Sequence, residues 1–295
     1  MGGRMAATAW GAVAILLWSL LALLTVRTAP VPPLLLNALC FGIATVVGAI
    51  WGLATGTLAD LRRVPLRVHA FGIAGLFGYH LLYFSALRLA PPAEAGLVAY
   101  LWPLLIVLFS GLLPGERLRA GHLIGAAMAF AGAALIVSGG LGEAEATNRP
   151  LGLLLAFGCA LTWSVYSVGS RALGRWPTAA VTVYCGGSAL LSLLAHLLFE
   201  DPAWPVGAAG WAALALLGLG PVGAAFFLWD HGMKRGDIQL LGTASYAAPI
   251  LSTAALVAAG AAPATGRLVL AAALVACGAA VAALAGRRVS APKAG

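Results

Sequence analysis

Charge is what this chain lacks most: 9% of its 295 residues are Asp, Glu, Lys or Arg, where soluble proteins carry about 25%. A water-soluble domain of this length is thereby excluded. Acid is scarcer than base, 9 residues against 17, and the net charge is +8. That surplus does not make a nucleic-acid surface, because the basic residues stand at the ends of apolar runs and not along one face. Cysteine is rare as well. Cys40, Cys159, Cys185 and Cys277 all fall inside apolar runs and form no CxxC, so they read as small buried hydrophobes, not a disulfide or metal framework. GxSxG and HExxH are missing, and His80 is a lone span-core histidine with no acid at its own depth. An intramembrane enzyme has no nucleophile–base pair or metal cluster to work with, and no cofactor or metal is expected. Long polar stretches are lacking too. The longest, Gly139 to Pro150, leaves no room for an extramembrane domain.

Apolar length is what the chain has in plenty. Hydrophobic residues make up 62% and fall into ten runs: 9–26, 34–54, 70–88, 93–113, 121–139, 151–173, 177–198, 208–231, 238–259 and 266–286. As helices, runs of roughly 20 residues cross the ~30 Å of a bilayer's hydrocarbon. The expected fold is an all-α integral membrane protein with ten transmembrane helices. The first run is expected to be retained, since no small-residue cleavage site follows it before the next span. Lys and Arg set the orientation. With the N-terminus inside, only Arg27, Arg88, Arg149 and Arg267 of the 17 fall outside, so both termini are expected in the cytoplasm.

The chain also repeats itself. Trp18-Ser19 matches Trp163-Ser164, Pro32 matches Pro177, Cys40 matches Cys185 and Gly42 matches Gly187, all 145 residues apart. One residue is then gained: Gly96 matches Gly242, Tyr100 matches Tyr246, Pro103 matches Pro249 and Gly132 matches Gly278, 146 apart. Five spans per half, an odd number, turn the second half upside down relative to the first. The expected organisation is therefore two inverted five-helix repeats, residues 1–145 and 146–295, with a binding site near midplane between them.

The two matched prolines point to that site. Pro103 and Pro249 have no N–H, so the carbonyls of Ala99 and Ser245 lose their helical donors, which is tolerable only against protein or a wet cavity. Such carbonyls suit an ammonium group, and helix segments beginning after the kinks suit a carboxylate. Aromatic and polar side chains gather on the same spans: Trp18; Tyr79, His80 and Tyr83; Tyr100 and Trp102; Trp163, with Tyr166 and Ser170 on its face; Ser245 and Tyr246. For each aromatic the alternative is a core side chain bonded to a neighbouring helix. For His80 it is a neutral ring hydrogen-bonded to a hydroxyl, beside substrate contact or proton coupling. Glu94 is a candidate for helix capping, gating or coupling. Asp230, four residues before Lys234, is a candidate for a local pair or for coupling. Gly121 and Gly125 form GxxxG, read as packing, with dimerisation the alternative to a monomer.

Trp18-Ser19, Tyr100-Leu-Trp-Pro103, Arg235-Gly-Asp237 and Ser245-Tyr246 with Pro249 together resemble the EamA-type exporters of the drug/metabolite transporter superfamily. Tyr-Leu-Trp-Pro is similar to the element found in aromatic amino-acid exporters of that family. The resemblance covers all ten spans. It implies a multi-pass protein of the bacterial inner membrane with cytoplasmic termini, partnered by lipid and a small-molecule substrate. It implies export of aromatic and other apolar amino acids by alternating access through a central cavity. Trp18, Tyr79, His80, Tyr83, Tyr100, Trp102, Pro103, Trp163, Ser245, Tyr246 and Pro249 would line or shape that cavity. Asp230 departs from the neutral polar residue, such as Asn, that the resemblance leads one to expect there. The alternatives are export of another small metabolite or drug on the same scaffold, and a receptor, against which the inverted halves argue.

Overall fold

A computed structural model of the chain describes residues 2–110, 120–138, 147–173, 176–235, 241 and 244–287. Among the described residues every regular element is a helix. In chain order these are α1 (Gly2–Ser19), α2 (Leu21–Arg27), α3 (Pro33–Ala54), a 3₁₀ stretch (Thr57–Arg63), α4 (Leu66–Leu89), α5 (Pro92–Ala99), α6 (Trp102–Ser110), α7 (Ala120–Ser138), α8 (Arg149–Leu173), α9 (Ala180–Phe199), α10 (Gly207–Leu219), a π turn (Gly220–Ala224), α11 (Ala225–Arg235), a 3₁₀ turn (Ser245–Ala247), α12 (Ala248–Ala258) and α13 (Gly266–Arg287). Among the described residues six helical stretches are long and apolar enough to cross a membrane: Gly3–Arg27, Pro33–Ala54, Leu66–Leu89, Arg149–Gly169, Ala180–Phe199 and Gly207–Gly232. Four shorter apolar stretches, Pro92–Ile106, Ala120–Gly132, Ala248–Ala258 and Gly266–Ala282, fall in the remaining expected runs.

Proline and glycine punctuate these helices in the expected sense. Pro33 and Pro92 open α3 and α5 at positions where a missing N–H costs nothing. Gly260, with φ of 68°, ends α12 in a left-handed turn. There the Ala261 N–H reaches the Leu256 carbonyl and the Gly260 N–H that of Val257, which satisfies two carbonyls at the helix end.

The central prolines act differently from simple kinks. Pro103 and Pro249 each sit in the first turn of a new helix, where the absent N–H has no partner to lose. The described part of the run 93–113 is thus two helices, with Tyr100 and Leu101 forming the turn between them. At the second proline a 3₁₀ turn leads into α12, and the Ser245 carbonyl accepts the N–H of Ala248. The expectation of a freed carbonyl at Ser245 is therefore wrong, because tightening to 3₁₀ supplies a donor one residue earlier. Two further interruptions have no proline signal of the expected kind. The first span breaks at Leu20, between α1 and α2, and the eighth opens into the π turn around Pro221.

The helices pack in pairs: α1 with α11, α3 with α9, α4 with α8 and α7 with α13. Around these, α3 also meets α10, α4 meets α9, α5 and α6 meet α8, and α12 meets α1. Glycine permits the closest approaches. A Cβ on Gly125 would strike the Gly278 carbonyl, and one on Gly278 the Gly125 carbonyl. Gly125 of the GxxxG pair is thus spent on packing within the chain. The outer surface is apolar, with Leu197, Leu198 and Phe199 among many exposed large side chains, while Asn37, His80, Glu94 and several Ser and Thr lie buried. That inversion suits a lipid solvent.

Overpacking at the α7–α13 crossing costs about 1–3 kcal/mol. Gly125→Val is expected to lower the melting temperature of the detergent-solubilised protein clearly, whereas Gly42→Ala, with open space around it, leaves it unchanged.

Candidate functional site

One cavity brings together side chains from across the sequence. Eight of the eleven expected residues line it: Trp18, Tyr79, His80, Tyr83, Tyr100, Trp102, Trp163 and Ser245. Ile15, Leu21, Ala99, Phe226 and Ala248 complete the wall. Pro103 and Pro249 stand outside the lining, where they start α6 and α12. The Tyr246 and Ser170 side chains lie outside the described residues. Tyr79 and Tyr83, one helical turn apart, stack with ring centroids 5.9 Å apart. Trp163 is the hub, with Tyr79 at 5.1 Å, Phe226 at 6.0 Å, Trp18 at 6.3 Å and Trp102 at 6.4 Å. The free volume is about 30 Å³, room for about two waters.

Polar groups in and beside the wall are tied to backbone. Trp18 Nε1 donates to the Pro221 carbonyl at 3.1 Å. The Tyr100 hydroxyl donates to the Trp18 carbonyl at 3.3 Å. Ser164 Oγ donates to the Trp102 carbonyl at 3.1 Å, and Ser245 Oγ to that of Leu241 at 2.9 Å. His80 Nδ1 lies 3.0 Å from the Leu76 carbonyl. Only a ring N–H can serve a carbonyl, so Nδ1 carries the proton and a neutral ring offers Nε2 as acceptor. Phe41, Tyr79, Phe84 and Phe226 enclose the ring. Ala99 sits at the C-terminal end of α5 and Trp102 at the start of α6. The negative end of one helix and the positive end of the next therefore meet the cavity three residues apart.

Neither candidate acid lines the cavity. Glu94, 1% exposed, places Oε2 2.8 Å from Arg149 Nε and joins the start of α5 to the start of α8. The Asn148 N–H donates to the Leu89 carbonyl beside it. Asp230 accepts a hydrogen bond from the Thr178 hydroxyl on the stretch leading into α9. The Lys234 side chain, expected to pair with it, lies outside the described residues, as do Gly236 and Asp237 of the Arg-Gly-Asp turn. Glu200 went unnoticed in the sequence. Its carboxylate accepts the N–H groups of Leu34 and Leu35 and a bond with His196 Nδ1, capping α3 from the end of α9. Phe226, 146 residues after His80, was also missed. Among the described residues no group of three or more His, Cys, Asp or Glu converges as metal ligands would.

Residues 5–138 and 150–284 match the EamA-like transporter family. The aromatic amino acid exporter YddG of Ancylobacter novellus is 56% identical over 97% of this chain and 99% of its own length. YddG of Salmonella typhimurium is 29% identical over 84% of this chain and 86% of its own. A probable terminal-alkyne amino-acid exporter of Streptantibioticus cattleyicolor is 27% identical over 70% of this chain and 69% of its own. A solved crystal structure, 56% identical and covering 97% of this chain and 100% of its own, superposes with a TM-score of 0.76.

Removing one partner of a buried ion pair strands the other, at about 3–5 kcal/mol. Arg149→Ala is expected to cost stability at the low end of that range, since Arg149 is a quarter exposed. The double variant Glu94→Gln/Arg149→Ala is expected to recover part of the loss in thermal unfolding.

Proposed function

We infer the function from one premise: the chain belongs to the EamA-like transporter family. It is a membrane transporter, not an enzyme. Its substrates, we propose, are aromatic and other apolar amino acids and related metabolites, exported across the bacterial inner membrane. The observation that carries this reading is the aromatic-walled cavity at a helix break, in a chain 56% identical to an aromatic amino acid exporter.

The proposed architecture is ten crossings in two halves, 1–145 and 146–295, of opposite orientation. Three observations support it. The family match falls in two stretches, one per half. The helix pairing maps onto itself when the halves are exchanged: α1 with α11 becomes α8 with α4, α3 with α10 becomes α9 with α4, and the α3–α9 and α7–α13 pairs return to themselves. The residue gained in the second half has a natural location in the π turn at Gly220–Ala224, since such a turn holds one residue more than an α-turn. The distribution of Lys and Arg puts both termini in the cytoplasm.

In this reading a zwitterion lies across the Tyr100–Leu101 turn. Its ammonium faces the Ala99 carbonyl, which receives no helical bond from Pro103. Its carboxylate faces the start of α6. The aromatic wall takes the side chain by stacking and edge contacts. A cavity of about 30 Å³ is smaller than any such side chain, so loading needs the rings to part and the halves to move. Alternating access between the halves supplies that movement. Among the described residues the cavity lining carries no carboxylate, which favours facilitated export over strong proton coupling.

Purified protein in proteoliposomes is expected to give saturable efflux of labelled Phe and Trp that persists without a pH gradient. Tyr100→Ala, which removes the bond to Trp18 and a wall of the cavity, is expected to lower that flux about tenfold or more with normal membrane insertion. Wild-type flux in Tyr100→Ala would remove the cavity assignment, and absence of aromatic flux in the parent would remove the substrate class.

A further inference from the structure

The two halves present one pair of indoles and one pair of carbonyls at matching places. Trp18 and Trp163 are 145 residues apart, and Gly75-Leu76-Phe77-Gly78 precedes Gly220-Pro221-Val222-Gly223 by the same interval. On one side the bond is made: Trp18 Nε1 donates to the Pro221 carbonyl. Its counterpart would run from Trp163 Nε1 to the Leu76 carbonyl. His80 Nδ1 occupies that carbonyl instead, at 3.0 Å. The residue opposite His80 is Phe226, whose ring has no N–H, so the substitution happens in one half only.

Trp163 is thereby left with an unused donor. Among the described residues its indole N–H makes no hydrogen bond, and the residue, 9% exposed, lines the cavity. A buried indole N–H ordinarily finds an acceptor. The neighbouring ring is that of Trp102, at the positive end of α6. Two sources of positive potential thus share one corner of the cavity, and the ligand chemistry they fit is a carboxylate.

We propose that Trp163 Nε1 donates to the carboxylate of the transported amino acid, and that His80, by holding the Leu76 carbonyl, keeps that N–H turned to the cavity. This rests on the export of amino acids proposed above. It adds that the two matched tryptophans have diverged in task. Trp18 fastens the first span to the π turn, and Trp163 reads the substrate. His80 acts here as a positioning residue.

The test compares binding of L-phenylalanine with that of L-phenylalaninamide, which lacks the carboxylate, by calorimetry on the full-length protein in detergent. Trp163→Phe keeps a ring and removes the N–H. It is expected to weaken phenylalanine about tenfold, the loss of one hydrogen bond to a charged group, while the amide changes by less than about twofold. His80→Leu vacates the Leu76 carbonyl with the indole still present, so it is expected to lose the same preference for the acid over the amide. His80→Asn, which retains a side-chain N–H, is expected to restore part of it. Should Trp163→Phe fail to fold, the two His80 variants carry the same comparison. Equal weakening of both ligands, or an unchanged acid-over-amide ratio in Trp163→Phe and His80→Leu, would overturn the proposal while leaving export intact. A parent protein that binds neither ligand would overturn the export reading and this inference together.

Discussion

Irregular backbone in an apolar interior needs hydrogen-bond partners close by, and at the centre of this protein side chains donate to carbonyls at and beside the helix breaks. The first span breaks at Leu20, and the Trp18 carbonyl beside the break accepts from the Tyr100 hydroxyl. The eighth opens at the π turn, and the Pro221 carbonyl accepts from the Trp18 indole. The Leu241 and Trp102 carbonyls, next to the two proline-started helices, accept from Ser245 and Ser164. Without water to stand in, each unmet carbonyl would cost several kcal/mol. Trp18, Tyr100 and Ser245, which line the cavity, thus also hold backbone carbonyls around it. A site that needs exposed backbone dipoles and a fold that cannot leave them unpaired meet in the same few side chains.

Much of this was legible in the residues. Apolar runs of spanning length mark each described helical stretch, because in lipid the hydrophobic signal is continuous and owes little to periodicity. Trp18, Tyr79, His80, Tyr83, Tyr100, Trp102, Trp163 and Ser245 were legible as cavity residues, because large polar aromatics at mid-depth need a reason to be there. What stayed hidden depends on contacts between distant helices. Glu94 and Arg149 meet across 55 residues, and no local spacing announces such a pair. The offset of one residue in the second half was readable, but not the π turn at Gly220–Ala224. The prolines were readable as interruptions. Whether each would leave a free carbonyl was not, since that depends on whether the chain tightens into 3₁₀, as it does at Ser245, or turns, as it does at Tyr100.

Family membership adds what geometry alone does not, that solute crosses. The small free volume then acquires meaning. The aromatic core with about 30 Å³ of space is the part of the structure that the proposed transport cycle would have to open. The close glycine contacts of α7 with α13 and of α1 with α11 give backbone-on-backbone surfaces with little side-chain interlocking. Glu94–Arg149 and Glu200–His196 stand apart from the cavity and tie helix ends together. Charge at helix ends ties the frame together, and neutral aromatics at the centre line the cavity.

The most direct measurement is cysteine accessibility at position 100 in an otherwise cysteine-free protein, read from each side of the membrane. A central cavity opening alternately requires that Tyr100→Cys be labelled by an impermeant thiol reagent in both right-side-out and inside-out vesicles, with protection by L-phenylalanine in each. Labelling from neither side, or from one side alone whatever the ligand, would contradict it.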